Sequence, residues 1–268
     1  MNVNTTITRK KEIDFLQFNK LLEFEDKLVH AIFLKKHNIG FNLQDCIGVR
    51  DKSISVISKK FKINKNRIVQ SHQTHSNNIK EYNEKTEIEQ NVLNDYDGYV
   101  CNKKDIATII TFADCIPVFI YDPKNNVYAN IHSGWRGVVN QISIKAIQTL
   151  VRKYNSSLSS LICCIGPNIR RECFLVNEDL VQIYNENFKD YIKSYPIIEE
   201  TDLHNDKGKQ YKIDNNLLLE LLLKENGVLD KNIINSEICT VCNSNDFHSR
   251  RAEGENFQKG GGLMMLKC

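Results

Sequence analysis

Several things are scarce in this 268-residue chain, and each scarcity excludes something. Only four prolines occur, so the breaks between elements fall mainly to Gly, Asn and Asp. No apolar run is long enough to span a bilayer. The most apolar stretch, "NLLLELLLKENG", is interrupted by Glu220 and Lys224. The start, "MNVNTTITRKKEIDFLQF", has no apolar core of signal-peptide length, so the expected location is cytoplasmic, with no membrane partner. Neither sign of charge dominates. Lys plus Arg number 36 against 33 for Asp plus Glu, and the net +3 gives no reason to expect a nucleic-acid partner. Internal repeats and Pro- or Ser-rich linkers are absent, as are the H-E-x-x-H, P-loop and dinucleotide-binding fingerprints.

What is present is ordinary for a soluble globular protein: 41% hydrophobic and 26% charged residues, enough for a sizeable core. The expected organisation is one domain over residues 1–268. Nine cysteines in a cytosolic chain argue against a disulfide framework, and the odd number agrees. Cys163 and Cys164, in "LICCIG", read as core residues. Cys239 and Cys242 form a lone C-x-x-C, half of a zinc knot with no second pair behind it, and are read as structural.

Apolar runs of strand length occur at "HAIFL", "RIVQSH", "IATIIT", "IPVFIY" and "VYANI". The turn "DPKNN" predicts an antiparallel hairpin of Ile116–Tyr121 and Val127–Ile131. Val138, Ile142, Ala146 and Leu150 then recur at helical spacing. A second helix is expected after Asn177 as N-cap, and a third from Asp214 to just before Gly227. "NIINSEIC" and "GLMMLK" read as late strands. Strands and helices mix without a regular βαβ rhythm, which predicts an α+β fold of mixed sheets flanked by helices.

Three pieces carry candidate chemistry: "VQSHQTHS" with His72 and His75, "ADC" with Asp114 and Cys115, and "HSGWRG" with His132. Cys115 and His132 stand 17 positions apart, at the same end of the predicted hairpin, and His72 would join them from another strand. Two imidazoles and a thiolate suit a three-ligand Zn²⁺ site with its fourth position open. On spacing alone the signal is weak, because a lone histidine near a strand end is more often a hydrogen-bonded structural residue. The turn "SGWRG" opens a helix, so its N-terminus and Arg136 offer a phosphate site. The alternative is a tight turn with Trp135 packed and Arg136 solvated.

Together these residues resemble the YfiH-like family, also labelled the laccase-domain or polyphenol-oxidase family. Gln70-Ser71-His72 corresponds to its Gln-x-His pattern, Asp97-Gly98 to an Asp-Gly pair, and Ala113–Pro117 to Ala-Asp-Cys-x-Pro. His132–Gly137 corresponds to His-x-Gly-Trp-Arg-Gly, and Ile165–Ile169 to a Gly-Pro-x-Ile element. Asp214 to Val228 matches an Asp-led helix, and Phe247-His248-Ser249 with Arg251 a late aromatic-Ser-Arg segment. The resemblance implies an α+β fold related to Cys-His toxin deamidases and a zinc site at His72, Cys115 and His132. It also implies phosphorolysis of adenosine, inosine and methylthioadenosine, and deamination of adenosine.

Three departures stand out: Gln73 follows the motif histidine where the family usually has Gly, Lys36 replaces an early Arg, and a late Gly-Arg pair is replaced within Gly260–Gly262. The resulting expectation is a zinc enzyme acting on purine nucleosides and phosphate. Cys115, His132 and Asp114 are its catalytic candidates, with His75 another possible proton shuttle. Arg136, Lys36 and Arg251 are candidates for phosphate or substrate. Alternatives are a metal-free Cys115–His132 hydrolase, a copper oxidase, since a His₂Cys set also suits copper, and a binding protein that uses the cleft without turnover.

Overall fold

The expected hairpin around "DPKNN" lies at the centre of the fold. The computed structural model describes residues 3–42, 47–88 and 92–268, leaving Cys46 outside. Its strands, in chain order, are β1 (Thr5–Arg9), β2 (Asp14–Phe18), β3 (Leu28–Phe33), β4 (Ile68–His72), β5 (Ile79–Tyr82), β6 (Leu93–Asn94), β7 (Gly98–Cys101) and β8 (Ala107–Phe112). They continue with β9 (Ile116–Asp122), β10 (Val127–Ser133), β11 (Ile162–Ile165), β12 (Leu175–Asn177), β13 (Ile198–Asn205), β14 (Gly208–Ile213), β15 (Ile233–Asn235) and β16 (Gly260–Leu266). The helices are α1 (Asn19–Leu22), α2 (Ile47–Phe61), α3 (Trp135–Val139), α4 (Ile142–Tyr154), α5 (Glu178–Ser194), α6 (Asn215–Glu225) and α7 (Arg250–Glu253).

A seven-stranded sheet has the order β1-β2-β3-β16-β8-β4-β6. A six-stranded sheet has the order β15-β11-β9-β10-β7-β5, and β12-β14-β13 form a small third. Parallel pairs such as β4–β8 and β5–β7 sit among antiparallel ones, so the sheets are mixed and the fold is α+β.

Side-chain alternation along the strands shows why the layers form. In β9, Val118 and Ile120 belong to one core cluster while Phe119 and Tyr121 belong to another. In β16, Leu263 and Met265 face one cluster and Met264 and Leu266 a second. The aromatic-rich cluster of Phe119, Tyr121, Tyr128, Ile110 and Met264 fills the space between the two large sheets. Helices α4, α5 and α6 cover the outer face of the six-stranded sheet, and α2 covers the outer face of the seven-stranded one through Ile57 and Phe61. Fully burying one such side chain contributes about 1.5–3 kcal/mol. Cys163 and Cys164 are wholly buried, as expected.

A polar seam also crosses the inter-sheet core. Tyr128 donates its hydroxyl to Met264 O at 3.0 Å, and the Asn130 amide nitrogen lies 3.0 Å from both Thr108 O and Gly262 O. By the same alternation, the next residue on that face of β10 is His132.

Two local expectations need correction. Val138 to Leu150 is not one helix: α3 ends at Val139, Gln141 is left-handed at φ 52°, and α4 starts afresh at Ile142. Asn177 precedes α5 but its side chain does not cap it, because its Oδ1 accepts instead from the Asn205 amide nitrogen at 3.2 Å. Asp214 does cap α6, accepting from the Asn216 and Leu217 amides at 3.1 and 2.9 Å. Among the described residues, no helix is long and apolar enough to cross a membrane.

Candidate active site

The link Ala113-Asp114-Cys115 is where the chain leaves the seven-stranded sheet at β8 and enters the six-stranded sheet at β9. The crossing is sharp: Asp114 takes a left-handed conformation, φ 80°, tolerated better by Asp and Asn than by most residues. Because Asp114 stands outside any strand, strand alternation does not set its direction. In the hairpin register Ile116 pairs with Ser133 and Pro117 with His132, so Cys115 and His132 do share one hairpin end.

A third residue then gathers the rest. The carboxylate of Asp97, wholly buried, accepts from His132 Nδ1 at 2.8 Å. It also accepts from the backbone amides of Thr74 (3.2 Å), His75 (3.0 Å) and Ser76 (2.7 Å), and from the Ser76 hydroxyl (2.8 Å). The loop after β4 is thereby wrapped around one carboxylate, with His75 left-handed at φ 61°.

This corrects the expected third member. His72 ends β4 exposed, opposite Asn94 of β6, and stays outside the group. His75 enters instead. Its Nε2 lies 3.8 Å from Cys115 Sγ, and its ring meets that of His132 edge-on at 5.0 Å between centroids. Ligand atoms of His75, Cys115 and His132 all lie within 4.8 Å of one another. The sequence held a signal for this, since Gln-x-His occurs twice, at 70–72 and again at 73–75. Gln73, the first residue of the second copy, accepts from the Thr111 amide at 2.6 Å and donates to Thr111 O at 2.7 Å. It ties the His75 loop to the strand that leads into Cys115. The residue after the histidine is then Ser76, which anchors to Asp97 through both its amide and its hydroxyl.

Burial alone would raise the Cys115 thiol, but the imidazoles of His132 and His75 outweigh it and bring it down from 9.0 to about 6. Burial would lower His132, yet Cys115 and Asp97 hold it up at about 9. Asp97 is pushed up by burial and pulled lower overall by His132 and Ser76. Gly134 leaves room for this convergence: a Cβ there would come 2.7 Å from His75 Cδ2 and 3.1 Å from Cys115 Sγ.

Cys115 and His75 open onto a cavity of about 430 Å³, also lined by Trp135, Arg136, Arg250 and Arg251. The Arg136 guanidinium stacks 4.2 Å above the Trp135 ring. Arg251 is pinned, donating to Cys173 O at 2.7 Å and Leu175 O at 3.1 Å. Arg250, which sequence reasoning missed, reaches the same cavity from one residue before.

Asp114 also lines the cavity, but both its carboxylate oxygens are taken, by the Thr240 hydroxyl at 2.6 Å and the Arg251 amide at 2.8 Å. Lys36 is not among the lining residues. It is exposed, with Nζ 3.8 Å from Asp14. The dipole of a long helix does not back Arg136 either, because α3 has only five residues before the break at Gln141. Gly260–Gly262 are not among the lining residues either, and a Cβ at Gly261 would strike the Phe41 ring at 2.5 Å.

The donor set fits a borderline-soft metal ion. It comprises two imidazoles and one thiol, with Asp97 fixing Nδ1 of His132 and leaving Nε2 to ligate. Comparisons with known proteins agree with the fold. The chain is 26% identical over 221 residues to purine nucleoside phosphorylase YlmD of Bacillus subtilis, covering 81% of this chain and 77% of that one. It is 25% identical over 231 residues to adenosine deaminase RL5 of an unknown prokaryotic organism, covering 81% and 83%. The crystal structure of the Bacillus licheniformis hypothetical protein YfiH superposes with a TM-score of 0.84 at 20% identity, covering 97% of this chain and 99% of that one. Residues 29–267 match the family model described as multi-copper polyphenol oxidoreductase laccase, and the chain belongs to that family.

Proposed function

We propose that the chain is a metal-dependent purine nucleoside phosphorylase that also deaminates adenosine, acting at His75, Cys115 and His132. One observation carries the reading: the three donors converge, and two of them, His75 and Cys115, line a cavity whose walls also present Arg136, Arg250 and Arg251. The names of the B. subtilis and RL5 relatives supply the substrate class. Bound zinc would supply Lewis acidity and lower the pKa of a coordinated water.

The chain's own residues do the rest. Asp97 holds His132 in one tautomer and orientation. Arg136 and Arg250 bring positive charge to the cavity for phosphate, whose oxygen attacks the anomeric carbon as the bond to the purine nitrogen breaks. Arg251 keeps its place on the Cys173 and Leu175 carbonyls and steadies the wall beside them. Asn215 accepts the Tyr184 hydroxyl at 2.5 Å, which orients its amide with N–H groups left as donors to the cavity. Asp114, fully engaged by Thr240 and Arg251, is a positioning residue for Cys115 rather than a free acid or base.

A second reading has its own observation. Asp97–His132 beside a lowered Cys115 thiol is also the order of a Cys-His-Asp hydrolase. Copper in place of zinc is a third, since the same donors suit it.

Chromatography of adenosine incubated with the purified protein separates these. Adenine and ribose 1-phosphate formed only with phosphate, and lost on adding a chelator, support the phosphorylase. Inosine formed regardless of phosphate makes deamination the main chemistry. Chelator-insensitive turnover with a covalent adduct on Cys115 favours the hydrolase. Activity that follows copper rather than zinc content favours copper.

A further inference from the structure

The C-x-x-C near the C-terminus is not alone. Cys173, 69 positions before Cys242, brings its sulfur to 3.6 Å from that of Cys242, and the sulfurs of Cys173, Cys239 and Cys242 all lie within 4.8 Å of one another. We propose that these three cysteines form a second, separate site for a thiophilic metal ion, which clamps the loop that leads into the cavity-lining Phe174 to the loop that holds Asp114.

Local structure supports ligation. Cys239 sits in a turn closed by the Asn243 amide donating to Cys239 O at 3.0 Å, and its segment pairs with Asn168 in an isolated β-bridge. The backbone amides of Cys242 and Arg170 both donate to the Cys239 sulfur, the kind of support a metal-bound thiolate uses. Cys239 is 8% exposed, Cys173 is half-buried and Cys242 is exposed, so one side of the cluster is open for an ion to enter. Three sulfurs and no nitrogen or carboxylate make the set softer than the His75–Cys115–His132 cluster, which favours Zn²⁺ or Cu⁺ over harder cations. The fourth position would be left to water or a small ligand.

The consequence is mechanical. Cys173 O receives Arg251, and the next residue, Phe174, lines the cavity. Thr240, inside the C-x-x-C, donates to Asp114. A metal ion held by the three sulfurs therefore braces Arg251 and Asp114 together, from behind the cavity.

The test uses the full chain carrying Cys115→Ala, which removes the thiol of the other cluster. Titrated with Co²⁺ after metal stripping, it is expected to bind one equivalent with a sulfur-to-cobalt charge-transfer band in the near-ultraviolet. Adding Cys242→Ser should abolish the band or weaken binding at least ~10-fold. Cys242 is exposed, so its replacement leaves the core untouched. No band in Cys115→Ala, or an undiminished band after Cys242→Ser, overturns the proposal. So does a stable Cys173–Cys242 disulfide in protein prepared with reductant. Should Cys115→Ala fail to fold, metal analysis of the otherwise unaltered chain serves: two zinc per chain, falling to one in Cys242→Ser, is expected, and no difference between them overturns the site.

Discussion

The two three-donor clusters lie on either side of Asp114, and they are held in different ways. In the first, His75, Cys115 and His132 come from a loop, an inter-sheet link and a strand end, and one buried carboxylate, Asp97, organises both histidines. In the second, Cys173, Cys239 and Cys242 come from two loops with backbone amides behind them. The first is set at the end of the polar seam between the two large sheets, facing a cavity. The second, with Cys239 buried and Cys242 exposed, opens to solvent. A similar number of donors thus serves a rigid, oriented centre in one place and a brace between loops in the other. The support behind the ligands, more than the ligands themselves, separates a site built for chemistry from one built for fastening.

The sharpest way to break this comparison is at the histidines. His75→Ala is expected to lose the metal of the first cluster and reduce turnover more than ~100-fold, ligand loss exceeding the usual cost of losing a supporting partner. His72→Ala, at an exposed strand end, should leave both unchanged. Metal analysis and adenosine turnover on the two variants check this, and the reverse pattern would return the third ligand to His72.

Next in size is Asp97→Asn. Asn keeps one acceptor oxygen but turns an NH₂ group toward donors, which include three backbone amides and His132 Nδ1. Metal affinity of the first cluster should fall ~10–100-fold, and the fold should lose about 3–5 kcal/mol, as when one partner of a buried pair is removed. Calorimetric unfolding and competition with a chromophoric chelator measure the two effects. The second cluster, with no such carboxylate, should keep its affinity in this variant.

The thiols give a pH test in metal-stripped protein. Cys115 is brought down to about 6 by its imidazoles, whereas burial and the neighbouring thiols push Cys173 upward. A lowered pKa means that thiolate persists until the pH falls to about 6. Iodoacetamide should therefore label Cys115 at a nearly constant rate from pH 8 down to about 7, at roughly half that rate near pH 6 and more slowly below. Cys173 should label slowly throughout this range and speed up toward alkaline pH. Peptide mass mapping across pH reads both rates, and equal rates at pH 7 would remove the electrostatic contrast between the clusters.

Parts of this arrangement were legible in the chain because they rest on local pattern. Alternation and the "DPKNN" turn predict β9 and β10, and the hairpin alone places Cys115 beside His132. The rest depends on contacts that no local pattern encodes. His75 displaces His72 because Asp97, over twenty residues later, captures the amides of the intervening loop and turns the chain left-handed. Strand reasoning stops at His72, where the strand stops. The second Gln-x-His at 73–75 was visible, but without Thr111 to receive Gln73 nothing marked it as the copy that counts. The long helix expected from Val138 fails at Gln141, where apolar spacing carries no trace of a left-handed residue. Cys239 and Cys242 look solitary in the sequence because Cys173 reaches them only through tertiary structure, and the charge of Lys36 suggests a substrate role although a turn after β3 sets it beside Asp14 instead.

The smallest effect tests whether the two clusters communicate. The Thr240 hydroxyl, held inside the C-x-x-C, donates to Asp114 at 2.6 Å, and Asp114 immediately precedes Cys115. Thr240→Val removes that donor and leaves Asp114 with the Arg251 amide. A hydrogen bond to a charged group is worth about 1.5–3 kcal/mol, but the Arg251 bond keeps the carboxylate near its place, so turnover should fall only a few-fold. The informative quantity is the coupling. Cys242→Ser and Thr240→Val each loosen the same connection from opposite ends. If the second cluster acts on the first through Thr240 and Asp114, the double variant should lose no more activity than the worse single one. Losses that simply multiply would mean that the clusters share a wall of the cavity without sharing its energetics.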